Sequence, residues 1–121
     1  MIIERPADFV TPGFLIRLAT ESWEFGGAAS RRHRTFVTEQ GIFESHDRDA
    51  TDRHALNLVA LSTMASEADE VVGTVRIHEE TPGLWWGGRL AVAPAYHRVG
   101  RLGAELIRLA VGTAHARGCH T

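Results

Sequence analysis

Between Leu102 and Arg117 the apolar positions recur every fourth residue: Leu102, Leu106, Ala110 and Ala114, with Leu109 and Thr113 beside them. That spacing lays an apolar stripe along one face of a helix. Glu105, Arg108 and His115 fall off the stripe, and Gly118 marks a stop. Upstream, apolar residues crowd into short runs instead. Phe14 to Ala19 (FLIRLA) follows a Pro12-Gly13 turn and predicts a strand. Ala55 to Met64 and Glu70 to Glu79, joined by Ser66 to Asp69, predict an antiparallel hairpin. Leu84 to Val92 predicts a fourth strand after the Thr81-Pro82-Gly83 turn, and Gly87-Gly88 inside it predict a bulge or a close backbone approach. Ser22 to Gln40 predicts a helix, capped by Ser22 with Glu24 in its first turn. Gly26-Gly27 weaken that helix and leave Ala28 to Gln40 as its firm part. The predicted order is β-α-β-β-β-α, a single α/β domain.

Two polar stretches carry candidate chemistry. The first lies between the fourth strand and the last helix: Ala93-Pro94 make a turn, and His97, Arg98, Val99, Gly100 and Arg101 follow. The first backbone N–H groups of a helix lack intrahelical partners and carry partial positive charge. Glycine lets an anion approach them, and Arg98 and Arg101 add full charges, which suits a phosphate. The same pattern is shared by any surface turn with solvated arginines. The second stretch, Gly41 to His54, holds His46, Asp47, Asp49, Asp52 and His54. Its spacing fits neither a zinc pattern nor a calcium loop, and it reads as a solvated loop with local Asx turns, with no metal. Arg31, Arg32 and Arg34 read as a solvated helix face.

Composition narrows the class without naming a function. The chain has 121 residues, 44% hydrophobic and 23% charged, enough for one domain with a modest core. A net charge of −2 gives no general affinity for nucleic acid or membranes. Lysine is absent, a feature that fits a GC-rich genome better than a function. Cys119 is the one cysteine, so no intrachain disulfide forms and a reducing, cytoplasmic setting fits. No run approaches transmembrane length, and MIIERPADFV lacks the apolar core of a signal peptide.

The run from Arg89 to Gly118 resembles the coenzyme A signature of the GNAT superfamily of N-acetyltransferases. That signature has a strand ending in apolar-apolar-Val-x-Pro, an Arg/Gln-x-x-Gly-x-Gly/Ala loop, and a helix ending in Ala-x-x-x-Gly, here Ala114 to Gly118. The loop departs from the pattern. Counted from Arg98, Arg101 stands at the first glycine and Gly103 at the second; counted from His97, Gly100 is the first and Leu102 replaces the second. Upstream, Arg34 to Gln40 (RTFVTEQ) resembles an Arg-led F-V-x-E-Q segment of one GNAT branch. Asp49 to Asp52 matches its Asp-x-x-Asp, and Val71 to Arg76 its Val-Val-Gly-Thr-x-Arg strand.

The resemblance implies a mainly antiparallel sheet and transfer of an acetyl or other acyl group from coenzyme A to the amine of a small molecule. It implies cofactor contacts at Leu90, Ala91 and Val92 and at Arg98, Val99, Gly100, Arg101, Leu102, Gly103 and Ala104. A general base is needed for the amine. Glu79 and Glu80 are the candidates, with His78 beside them, although each also fits an exposed strand end. Tyr96 does not occupy the position of the family's thiolate-protonating tyrosine. Cys119 has no His/Asp arrangement to activate it, and Trp85 and Trp86 read as core or interface. A GNAT domain continues past this helix with further strands. The expectation is therefore a domain over 1–121 incomplete at its C-terminus, with a homodimer or partner chain covering the exposed fourth strand. The other reading is a non-catalytic coenzyme A-binding or interaction module.

Overall fold

The structure, a computed structural model, describes residues 9–11, 13–62, 71–97 and 102–120. Its sheet runs in the order β1 (Phe9–Thr11), β2 (Phe14–Leu18), β3 (Leu56–Ser62), β4 (Val71–Thr81) and β5 (Leu84–Val92), with every neighbour antiparallel. Helix α1 (Ser22–Arg32) continues as a π-helical segment, His33–Glu39, and α2 (Leu102–Ala116) closes the described chain. The predicted order thus holds with one addition, the short β1, which pairs Phe9 with Ile16. Thr63, Met64 and the Ser66–Asp69 turn lie outside the described residues.

The period of two along the strands sorts the core into two layers. Leu58 and Ala60 face α2 together with Ile16, Val75 and Ile77. Val59 and Leu61 face the other way, toward Ala28 of α1 and Val71. In α2 the buried residues are Leu102, Leu106, Leu109, Ala110, Thr113 and Ala114, the stripe read from the spacing.

The glycine pair in α1 does not break the helix. A Cβ on Gly27 would stand 2.4 Å from Val71 Cγ2, so the missing side chain lets α1 lie close on β4. Gly73 does the same for the other layer, where a Cβ would meet Leu102 Cδ2 at 2.7 Å. The cap of α1 is Glu21, not Ser22, which is the first helical residue. Glu24 is fully buried and accepts from the backbone N–H of Thr20 and of Glu21, each at 2.9 Å, and from Arg17 Nε at 2.5 Å. Burial opposes its ionisation, yet those donors outweigh it and hold the carboxyl below its ordinary range.

Candidate active site

The β4–β5 ladder slips twice, between Thr74 and Arg76 and again between Glu79 and Thr81. Thr74 pairs with Ala91 but Arg76 pairs with Gly88, so β5 carries an extra residue. The sequence predicts a bulge or a close backbone approach at Gly87-Gly88. The residue in the left-handed region is instead the next one, Arg89, with φ +53, the only non-glycine with positive φ among the described residues. Such a conformation costs an L-residue roughly 1–2 kcal/mol. Here the side chain is held from outside the strand. Its Nη2 donates to the Asp47 carbonyl and to Asp49 Oδ2, both at 3.1 Å, and its guanidinium lies 4.8 Å from the Phe43 ring centroid.

The loop that holds Arg89 is exposed over most of its length, as its composition suggests, but it is anchored at one buried residue. Asp47 is buried, and Arg32 Nε donates to its Oδ2 at 2.6 Å. Arg32 also bonds Asp52 at 2.7 Å, and Arg76 bonds Asp49 at 2.8 Å and Asp52 at 3.1 Å. Three guanidinium groups (Arg32, Arg76, Arg89) thus interlock with three carboxylates (Asp47, Asp49, Asp52). The expected Asx turn is present inside this network, with Asp49 Oδ1 accepting from the Thr51 N–H. Burial works against ionisation of Asp52, but hydrogen bonds from Arg32, the Asp49 N–H and Arg76 prevail and drive its carboxyl far below the usual range. Burial is likewise overcome at Asp49, chiefly by Arg76, and at Arg32, whose pKa is raised by Asp52 and Asp47.

The solvated face assigned to α1 also fails in part. Arg31 and Arg32 are buried, Arg31 donating to Thr35 Oγ1 and to Glu39, while Arg34 is exposed. One signal in the sequence points to this outcome. Arg76 interrupts an otherwise uncharged run, Val71 to Ile77, and a charge in a buried strand needs a partner.

Among the residues expected to cradle coenzyme A, the structure brings together Leu90, Ala91 and Val92 with Leu102, Gly103 and Ala104. β5 is the terminal strand of the described sheet, so alternate backbone groups of Leu90, Ala91 and Val92 point away from β4. Leu102, Gly103 and Ala104 form the first turn of α2. A Cβ on Gly103 would lie 3.8 Å from Val92 Cγ2 and 4.0 Å from Leu90 Cδ2, so the helix start abuts the end of β5. His97 Nε2 donates to the Val92 carbonyl at 2.8 Å and closes the connection. Arg98, Val99, Gly100 and Arg101 lie outside the described residues. Between β5 and α2 runs an apolar cleft of about 460 Å³, lined by Ile77, Trp85, Leu90, Ile107 and Val111 among others.

The two candidate bases part company. Glu79 turns into the β4–β5 connection, where its Oε2 accepts from the Gly83 N–H at 2.9 Å. Glu80 accepts from His78 Nε2 at 2.9 Å and lines a second cleft, of about 360 Å³, with Arg76, His78, Trp86 and Arg89. Both clefts are bounded by Trp86, Gly87 and Gly88. Trp85 packs against the core, whereas Trp86 is exposed. Tyr96 is engaged with Ser62, its hydroxyl 3.1 Å from Ser62 Oγ. Among the described residues no three His, Cys, Asp or Glu side chains group to hold a metal ion, and no helix is long and apolar enough to cross a membrane.

Solved structures share this arrangement at low sequence identity. A Lactobacillus plantarum protein provisionally assigned as an N-acetyltransferase matches with TM-score 0.71 at 21% identity, over 88% of this chain and 70% of that one. Escherichia coli ElaA matches with TM-score 0.66 at 20% identity, over 84% and 70%. The NatC complex, solved with Gag peptide and CoA, contains a chain matching with TM-score 0.59 at 11% identity, over 88% and 70%. No curated protein matches the chain in sequence. The model of the acetyltransferase (GNAT) family matches residues 16–121, nearly all of the chain that carries the sheet, both clefts and α2. The chain belongs to the GNAT acetyltransferase family.

Proposed function

We propose that this protein transfers an acyl group from coenzyme A to the amine of a small molecule. One observation carries the reading: the Arg89 bulge lies where β5 borders both clefts, one apolar and one polar. Donor and acceptor then approach the same point from opposite faces of the strand. Acetyl-CoA, when bound, would supply the acyl group as a thioester: the carbon–sulfur bond breaks as the carbon–nitrogen bond to the amine forms, and coenzyme A leaves as a thiolate that takes its proton from water.

The chain's own residues take the remaining tasks. The N–H groups of Leu102, Gly103 and Ala104, which have no intrahelical acceptor at a helix start, suit the pyrophosphate, and Gly103 and Ala104 are too small to obstruct it. Arg98, Val99, Gly100 and Arg101 complete that cradle in this reading, with charge from the two arginines. Outward backbone N–H groups around Leu90, Ala91 and Val92 hold the acyl arm and polarise its carbonyl. Glu80, paired with His78, takes the proton that the amine must lose. Glu79, bonded to the Gly83 N–H, holds the strand connection. The solved NatC complex contains CoA, which supports the choice of cofactor.

Thiol release from acetyl-CoA, measured with a broad amine panel, tests the reading. Turnover above hydrolysis that falls in Glu80→Gln and survives in Glu79→Gln is expected. Tight coenzyme A binding with no thiol release from any amine would make the protein a binding module. A second copy of this chain or a partner chain would cover the free edge of β5, the terminal strand of the described sheet. A monodisperse monomer in light scattering would remove that part.

A further inference from the structure

The second cleft presents two arginines and one glutamate, Arg76, Arg89 and Glu80, and by that inventory it should attract anions. The network behind it reverses the expectation. Arg76 is bonded to Asp49 and Asp52, and Arg89 to Asp49, with the Asp47 carbonyl as a further acceptor. With Arg32 included, three cations face three anions, so the cluster is neutral as a unit. Glu80 stands outside it. It pairs with His78, its side chain is 56% exposed, and it lines the cleft. Trp86, 57% exposed, flanks the same opening with a flat apolar ring whose face also favours a cation.

We propose that the acceptor is a cationic amine with an apolar, flat body and no phosphate or carboxylate of its own. The Glu80 carboxylate receives its ammonium group, and the Trp86 ring receives the body. This deepens the acyl-transfer reading and rests on it for the word acceptor, but the recognition itself is measurable without turnover. Arginines tied to Asp49 give an anion nothing to displace them with except competition against a bond already made.

The test uses the full chain and three probes of one shape: 2-phenylethylamine, 2-phenylethanol and phenylacetate. Binding is read from the backbone amide shifts of His78 and Arg89, which line this cleft and not the first. The amine should bind at least about fivefold tighter than phenylacetate, a modest ratio because Glu80 is exposed. Glu80→Gln should erase the difference, and Glu80→Lys should reverse it. Asp49→Asn, which releases one acceptor from both Arg76 and Arg89, should raise phenylacetate binding while Glu80 is intact. Equal binding of the three probes, or tighter binding of phenylacetate to the unaltered chain, overturns the proposal. The two readings fail separately. Amine binding without thiol release sinks the enzyme and leaves the recognition, whereas turnover that prefers anionic amines does the opposite.

Discussion

On the α2 face of the sheet, Ile16, Leu58, Val75 and Ile77 meet Leu102, Leu106 and Ala110 in an all-apolar layer. On the α1 face the apolar layer is small, Ala19, Ala28, Val59, Leu61 and Val71 with Leu15 packed against it, and Arg32, Asp47, Asp49, Asp52, Arg76 and Arg89 form an ion-pair network. The two faces meet at β5, whose bulge is fixed by the polar side and whose edge borders the apolar cleft. Apolar packing is non-directional and tolerates small shifts of a helix. Hydrogen-bonded ion pairs are directional, and they hold an irregular loop at a fixed place where it has no repeating backbone bonds of its own. A loop-built face therefore rests on charges, and a helix-built face can rest on leucines.

The largest break should come from Arg32→Ala. It leaves Asp47 buried without its guanidinium and should cost about 3–5 kcal/mol in a urea melt. Leu106→Ala, the matching lesion on the apolar face, should cost about 2–5 kcal/mol by cavity formation. The pair separates by acid titration. Asp49 and Asp52 have carboxyls held below their ordinary value, so the unfolded chain takes up protons first as the pH falls. The stability they confer is complete above about pH 4 and is lost as the pH drops through their folded values. Leu106→Ala should keep this acid slope and lie below the parent at every pH, whereas Arg32→Ala should flatten it. An unchanged slope in Arg32→Ala would mean that the network contributes no linkage.

Gly73→Ala should cost about 1–3 kcal/mol, because Leu102 and Leu106 must move to admit the methyl group. That variant sharpens the comparison through function. It displaces the start of α2, so acetyl-CoA affinity in calorimetry should fall with stability, while the probes of the second cleft bind as before. The smallest effect is expected at Arg89. Glycine accepts φ +53 without strain, and valine resists it, so Arg89→Gly should exceed Arg89→Val in stability by about 1–2 kcal/mol although valine is the better strand former. The reverse order would show that the bulge is not held by backbone conformation.

Much of the fold was legible along the chain. The α2 stripe, the strand at Leu84–Val92 and the element order follow from periodicities that neighbouring residues set among themselves. The family motifs were legible for the same reason, as short runs in order. The glycine pair in α1 looked like a break because its use depends on Val71, far away in the chain. Glu79 and Glu80 looked equivalent, and only the slip of the β4–β5 ladder beside Glu80 and the Gly83 N–H assign them to different places.

The sequence by itself determined the elements, the apolar faces they bury and the family, because each rests on local spacing. Tertiary structure decided which charges pair. Arg32 and Asp47 are 15 positions apart, and Arg89 and Asp47 are 42 apart. No local pattern distinguishes an aspartate that will face water from one that will meet a guanidinium across the sheet. The pairing depends on where β4, β5 and α1 place their side chains in space, and so does the neutrality that leaves Glu80 as the charge presented to the second cleft.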